Sequence, residues 1–277
     1  MKLRADLHTH TFFSDGTQSP EHVAIEAKKQ NLDLVAVTDH DNVLAYPRFK
    51  EECKKLNMRF VTGIEVSAYI GDTKIHILGW GMDIESGKFK NYLETVKEST
   101  RLRTEDILKK LAGQGVPVSM DEVLAERTIP DAPLHITYIC RAAGKKYGVN
   151  TSDFFDKYMA LGRPCYSSLM RPTPESAVEI ITECGGVAAL AHPGRIDYPE
   201  GLDTEGLIRR LLPHGLYGIE GVYTTHTMEE TTYYKELAAK YSLAVSGGSD
   251  THFETGLNKI GYPEYYLDDL LAEKILN

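Results

Sequence analysis

"LDLVAVTDHD", residues 32–41, is a short apolar run that ends on an acid, a histidine and a second acid. A strand buried on both faces reads as an unbroken apolar run, so this stretch predicts an inner strand of a parallel sheet. Its polar tail falls at the C-terminal end of the strand, the edge where barrels and open parallel sheets assemble their sites. The same pattern recurs on both sides of it. "LRADLH" starts at Leu3, "MRFVTGIEVSA" at Met58, "KIHILGW" at Lys74 and "YGIEGVY" at Tyr217, while "GVAALAH" ends at His192 and "SLAVSGGSD" at Asp250. Helix signals fall between many of these runs. Ser19-Pro20-Glu21 and Thr173-Pro174-Glu175 each offer an N-cap, a first-turn proline and a first-turn acid, and Gly185-Gly186 closes the second helix. Alternating strand and helix at this spacing predicts an α/β fold, either a parallel barrel or a doubly wound sheet.

The middle of the chain differs. Between residues 88 and 185 there are helix signatures and almost no strand candidate: "KNYLETVKESTRLRTEDILKKLAGQG" runs up to its glycines, and Ser119 to Glu122 spells a capping box. We therefore expect a helical insertion domain over 88–185 and an α/β domain made of 1–87 and 186–277. Charge follows the same division. The insertion carries 14 basic and 13 acidic residues, the remainder 17 and 27, for a net charge of −9 overall. An acidic body of this kind is unsuited to coating nucleic acid, so no stable duplex binding is expected. The first residues are too polar for a signal peptide, and no run is long and apolar enough to span a membrane, which points to the cytoplasm. Four scattered cysteines, without a Cys-x-x-Cys pair, read as reduced thiols.

The chemistry gathers at the strand ends. In "ADLHTHTFFSDGT", residues 5–17, His8 and His10 are alternate residues and face the same way, with Asp15 in the turn that follows. His40 follows the run at 32–41, Glu65 follows "RFVTGI", His76 lies inside "KIHILGW", His192 ends "GVAALA", and Asp250 and His252 end "LAVSGG". Six of the ten histidines and three carboxylates thus project toward one presumed site. Nine nitrogen and oxygen donors suit a cluster of divalent ions such as zinc, manganese or iron, since a single ion would need only some of them. Such a cluster can make a hydroxide nucleophile at neutral pH. Asp39 and Asp41, flanking His40, read as orienting or turn residues rather than ligands.

Taken in order, "DLHTHTFFSDGT", "VAVTDHD", "GIEVSA", "HILG", "AHPGR" and "GGSDTH" make the whole chain resemble the PHP (polymerase and histidinol phosphatase) family of metal-dependent phosphoesterases. The resemblance implies a distorted (β/α)7 TIM-like barrel with up to three metals at its C-terminal rim. It implies His8, His10, Glu65 and Asp250 at one metal, Asp15, His40 and His252 at a second, and His76, His192 and a bridging Glu65 at a third. Many relatives have histidine at the Asp15 position. Asp followed by Gly, with the long insertion, is similar to the branch of nucleoside 3′,5′-bisphosphate phosphatases and 5′-to-3′ exoribonucleases. The substrate expected from this likeness is a small phosphorylated molecule, a nucleotide or a short RNA end.

Metals alone do not select a substrate. Arg195 of "HPGR" can clamp a phosphate through paired donors, and the resemblance implies a phosphate contact or a proton donor at His226 of "VYTTHTMEE". Within the insertion, Arg163 and Arg171 of "LGRPCYSSLMRP" and His135 of "PDAPLHITYICR" are candidate substrate contacts. Relatives commonly read Gly-Arg-Pro-His where this chain has Asp131-Ala132-Pro133-Leu134-His135. Histidinol-phosphate hydrolysis, a regulatory module with structural metals, and attack on a non-phosphate ester are the competing functions.

Overall fold

The computed structural model describes residues 2–169, 171–253 and 258–276 of the 277-residue chain. Seven strands form one sheet in the order β1 to β7: β1 Ala5–Asp6, β2 Leu34–Val37, β3 Arg59–Ile70, β4 Thr73–Trp80, β5 Val187–Leu190, β6 Leu216–Tyr223 and β7 Ala244–Gly248. Ten α-helices accompany them among the described residues. The first three are α1 Pro20–Lys29, α2 Tyr46–Lys55 and α3 Gly87–Gly113. They are followed by α4 Met120–Leu124, α5 Ile136–Tyr147, α6 Thr151–Tyr158, α7 Pro174–Glu183, α8 Thr204–Leu211, α9 Met228–Tyr241 and α10 Asp269–Ile275.

The apolar runs form strands because their side chains are needed on both faces. β2 and β5 are buried at every position, as a sheet covered by helices requires. The capping signals act where the sequence placed them. The side chain of Ser19 accepts from the His22 amide at the start of α1, and Thr173 and Ser119 each form a reciprocal capping box, on α7 and α4.

The sheet closes on itself as a distorted barrel. The Leu7 amide donates to the Gly247 carbonyl at 3.2 Å, the Asp250 amide to the His8 carbonyl at 2.7 Å, and Thr9 bridges Thr251 in parallel. Gly248 permits this seam, because a Cβ there would lie 2.4 Å from the His8 Cβ and 2.6 Å from its amide nitrogen. Trp80, fully buried, donates its indole N–H to the Leu7 carbonyl at 2.9 Å and so holds the backbone just before His8.

One strand departs from the all-parallel expectation. β3 and β4 are joined by the tight turn at Gly71 and Asp72, with no helix between them, and β4 runs antiparallel to both β3 and β5. The N-terminal half of β4 therefore lies at the rim where the parallel strands end. His76 reaches that rim from the early part of its strand, opposite Ser67, and not from a C-terminal end as the sequence pattern suggests.

The chain divides into two compact units, residues 1–92 with 172–277, and residues 93–171. The division differs from the expected boundaries of 88 and 185. α7 packs on β3, β4 and β5, since its buried Ala177, Val178, Ile180 and Ile181 need the sheet as a partner, and it belongs to the barrel unit. The smaller unit has its own apolar core, centred on Leu111, Val123, Ile139, Phe154, Met159 and Cys165. All four cysteines are buried and free. Among the described residues no helix is long and apolar enough to cross a membrane.

Candidate metal centre

Six of the seven strands of the barrel deliver a side chain to one rim. His8 and His10 leave β1 on the same face, His40 follows β2, Glu65 lies on β3, His76 on β4, His192 follows β5, and Asp250 and His252 follow β7. Short parallel bridges beyond the regular strands keep these positions level with one another, pairing His40 with Glu65 and Thr9 with Thr251. Asp15 arrives from the turn after β1. Gly16 makes that turn possible, for a Cβ there would come within 2.9 Å of the His10 carbonyl and the Thr11 amide. The backbone is bent where chemistry is needed: His192 has φ 24° and Asp250 φ 51°, both in the left-handed half of the map.

Eight of the nine residues meet as three overlapping sets of donors: His8, His10, Glu65 and Asp250; His10, Asp15, His40 and His252; and His40, Glu65 and His76. In the first set, the Nε2 atoms of His8 and His10 stand 3.1–3.3 Å from Glu65 Oε2 and Asp250 Oδ1. In the second, Asp15 Oδ1 lies 3.2 Å from His252 Nε2, and Asp15 Oδ2 lies 3.7 Å from His40 Nε2. In the third, Glu65 Oε1 approaches His76 Nδ1 at 2.7 Å and Glu65 Oε2 approaches His40 Nδ1 at 3.1 Å. His192 borders this last set, its Nε2 lying 3.0 Å from Glu65 Oε1 and 3.1 Å from His76 Nδ1.

The separations test whether cations fit. Ligand atoms about 2.1 Å from a common ion stand roughly 3.0–3.4 Å from one another in octahedral and tetrahedral shells. The four nitrogen–oxygen pairs of the first set have that spacing, and all four donors lie within 4.8 Å of one another. All four are also buried, and none makes a hydrogen bond of acceptable geometry, although their neighbours lie within reach. Buried polar atoms left in that condition are costly unless something satisfies them, and here they face a common centre rather than each other. These side chains have the capacity to hold two to three divalent ions.

The charges within the cluster are mutually tuned. Burial disfavours the imidazolium of His10, yet the carboxylates of Asp250 and Glu65 beside it outweigh that and push its pKa up to about 10. His8 is likewise raised: burial works against its charge and is overcome by Glu220, Glu65 and Asp250. His40 and His76 go the other way, burial holding His40 well below the imidazole range and His76 at about 3. For Glu65 and Asp250, burial is overcome by the surrounding imidazoles, which keep both well below the usual carboxylate range. Ionised carboxylates beside neutral imidazoles are the ligand-ready forms, and a cation can replace the protons that His8 and His10 otherwise attract.

A further layer of partners holds these donors, some of it unread in the sequence. Glu220, on β6 and fully buried, lies with Oε1 3.0 Å from His8 Nδ1 and accepts from the His192 amide through Oε2 at 2.7 Å. It orients one histidine and pins the bent backbone of another. A lone acid inside "YGIEGVY" was the available signal, because a charge in a buried strand must find a partner. Tyr223 donates to Asp250 Oδ2 at 2.7 Å and accepts from Arg195 at 2.6 Å. Asp39 accepts from the Thr11 amide and hydroxyl and from Ser14, fixing the turn that carries Asp15, and Asp41 accepts from the Ser67 amide.

Arg195 lines a cleft of about 270 Å³ together with His40, Glu65, His76, His192, Asp250 and His252; Lys74 and Ile196 complete it. His226 does not line this cleft. Its ring packs behind Tyr223, with centroids 5.0 Å apart, and against the Gly194 backbone; burial lowers its pKa, and neither ring nitrogen makes a hydrogen bond of acceptable geometry. The other three candidates belong to the smaller unit. Arg171 donates to the Tyr166 hydroxyl and the Ser167 carbonyl, His135 Nδ1 lies 3.0 Å from the Thr137 hydroxyl at the start of α5, and Arg163 is exposed.

Comparison with known proteins agrees with the geometry. The PHP domain profile matches residues 6–143. The chain is 30% identical over 252 residues to the 5′-3′ exoribonuclease Rnm of Salmonella typhimurium, covering 89% of this chain and 84% of that protein. It is also 30% identical over 256 residues to the phosphoribosyl 1,2-cyclic phosphate 1,2-diphosphodiesterase of Eggerthella lenta, covering 91% and 95%. A crystal structure from Bifidobacterium adolescentis, assigned as a metal-dependent phosphoesterase, superposes with a TM-score of 0.82 at 26% identity, covering 98% of this chain and 95% of that one.

Proposed function

The chain belongs to the PHP-domain family and has the fold of its metal-dependent phosphoesterases, and from that premise we propose that it hydrolyses phosphate esters of nucleotides. The substrates in this reading are a nucleoside 3′,5′-bisphosphate or the 5′ end of a short RNA. What carries the reading is the first donor set, four buried and unsatisfied atoms at ligand spacing beside an arginine. The exoribonuclease relative, which matches most of this chain, supports the choice of nucleotide.

Divalent ions, when bound, would supply Lewis acidity and lower the pKa of water toward neutrality. The rest is done by the chain. His8, His10, Asp15, His40, Glu65, His76, His192, Asp250 and His252 would hold the ions, and Glu220, Asp39 and Tyr223 keep those donors aimed. Arg195, tethered through one Nη to Tyr223, has its remaining guanidinium donors for non-bridging phosphate oxygens. His226, packed behind Tyr223 and outside the cleft, acts through Tyr223 on Arg195 and Asp250 rather than on the substrate itself.

A panel of phosphate esters assayed with manganese tests the proposal. Turnover of nucleoside 3′,5′-bisphosphates or 5′-phosphorylated oligoribonucleotides is expected. Turnover confined to histidinol phosphate would overturn the nucleotide reading. The Eggerthella lenta relative, matched over 95% of its length, favours a second reading, hydrolysis of a phosphoribosyl cyclic phosphodiester, which the same panel separates.

A further inference from the structure

Because β4 runs against its neighbours, it brings two side chains to the rim instead of one. Lys74 and His76 are alternate residues, so they leave the same face of the strand, with Cα atoms about 6.6 Å apart. Both line the cleft that holds Glu65, His192, Arg195 and Asp250. Lys74 is exposed, and its charge acts on the His76 imidazole. Among the described residues its ammonium has no carboxylate within ion-pair distance. Arg195 is placed differently: it is tied to Tyr223 and lies 3.5 Å from Asp250. One cleft in a strongly acidic chain therefore holds two cations, one tethered beside a candidate ligand and one uncommitted beyond His76. A single phosphate needs only the first of them.

We propose that Lys74 is a specificity residue that receives a second anionic group of the substrate, selecting esters that carry two phosphates over those that carry one. The inference rests on the phosphoesterase reading above and adds the residue of this cleft that would distinguish two phosphates from one. A lysine acts here as a point charge for a dianion, and a charge-assisted contact of this kind is worth about tenfold or more in discrimination.

The experiment uses the full-length, manganese-loaded protein and its Lys74→Ala and Lys74→Arg variants. The ratio of kcat/KM for adenosine 3′,5′-bisphosphate over adenosine 3′-monophosphate is expected to fall about tenfold or more in Lys74→Ala, mainly through KM, and to recover in Lys74→Arg. A second arm is independent of nucleotide turnover: inhibition of p-nitrophenyl phosphate hydrolysis by methylenediphosphonate relative to methylphosphonate. The wild type should favour the diphosphonate, and Lys74→Ala should lose that preference. If nucleotides prove not to be substrates but the diphosphonate preference still depends on Lys74, the nucleotide reading fails and this one stands. A wild type without diphosphonate preference, or a preference untouched by Lys74→Ala, overturns it.

Discussion

Glu65 is where the donor sets meet. It is fully buried, and its two oxygens approach His8, His10, His40, His76 and His192. Replacing it with glutamine keeps the shape and removes the charge that those imidazoles and any bound ions share. Glu65→Gln should lower turnover by at least about a hundredfold and reduce the metal content of the purified protein, read by elemental analysis; a variant with full metal content and activity would remove Glu65 from the centre. Glu220 acts through other residues. Gln at 220 can still accept from His8 or from the His192 amide, but not from both as a carboxylate does. We expect Glu220→Gln to weaken metal affinity by about 10- to 100-fold while the protein keeps its melting transition. Titration of manganese into metal-free protein measures this directly, and wild-type affinity would reduce Glu220 to a packing role.

At the scale of the element, the seam between β1 and β7 decides whether the first and last ligands meet. Gly248 faces the His8 backbone so closely that any side chain displaces it. Gly248→Ala should cost about 1–3 kcal/mol, through strain in a packed seam, and lower the melting temperature by several degrees. Gly113 at the end of α3 is the opposite case, with open space where a Cβ would stand. There Gly→Ala should leave stability unchanged or raise it by up to about 1 kcal/mol, because helix propensity is all that changes. Equal melting temperatures for the two variants would contradict this account of barrel closure. β4 gives the complementary lesson. Its apolar alternation was plain in the sequence, but its direction was not, and direction is what carries His76 and Lys74 to the rim.

For the whole molecule, the cost of the site is a stability argument. Six imidazoles and three carboxylates crowded at one rim leave polar atoms buried without partners, which a folded chain tolerates when ligand binding compensates. Manganese or zinc should therefore stabilise the fold by about 2.7 kcal/mol per site at a hundredfold excess over Kd and raise the melting temperature, and a chelator should reverse this. Thermal unfolding with and without EDTA checks this, and indifference to both treatments would count against metal binding at the rim. The smaller unit, with its own core, lies on one continuous stretch of chain, residues 93–171, and α7 falls outside it because its apolar face needs the sheet.

Residue type and spacing by themselves determined the alternating strands and helices and the helical insertion, and singled out nine candidate donors, because apolar runs must be buried and strand ends are where loops leave polar groups exposed. Identity along the chain could not determine which donors share a centre. His40 joins the third set beside His76 while His192 borders it, and Glu220 and Tyr223 orient the ligands from β6. Those arrangements depend on strand direction, on the register between strands distant in sequence and on the closure of β1 against β7. Each is a property of backbone pairing across the sheet, and pairing partners exist only once the chain has folded.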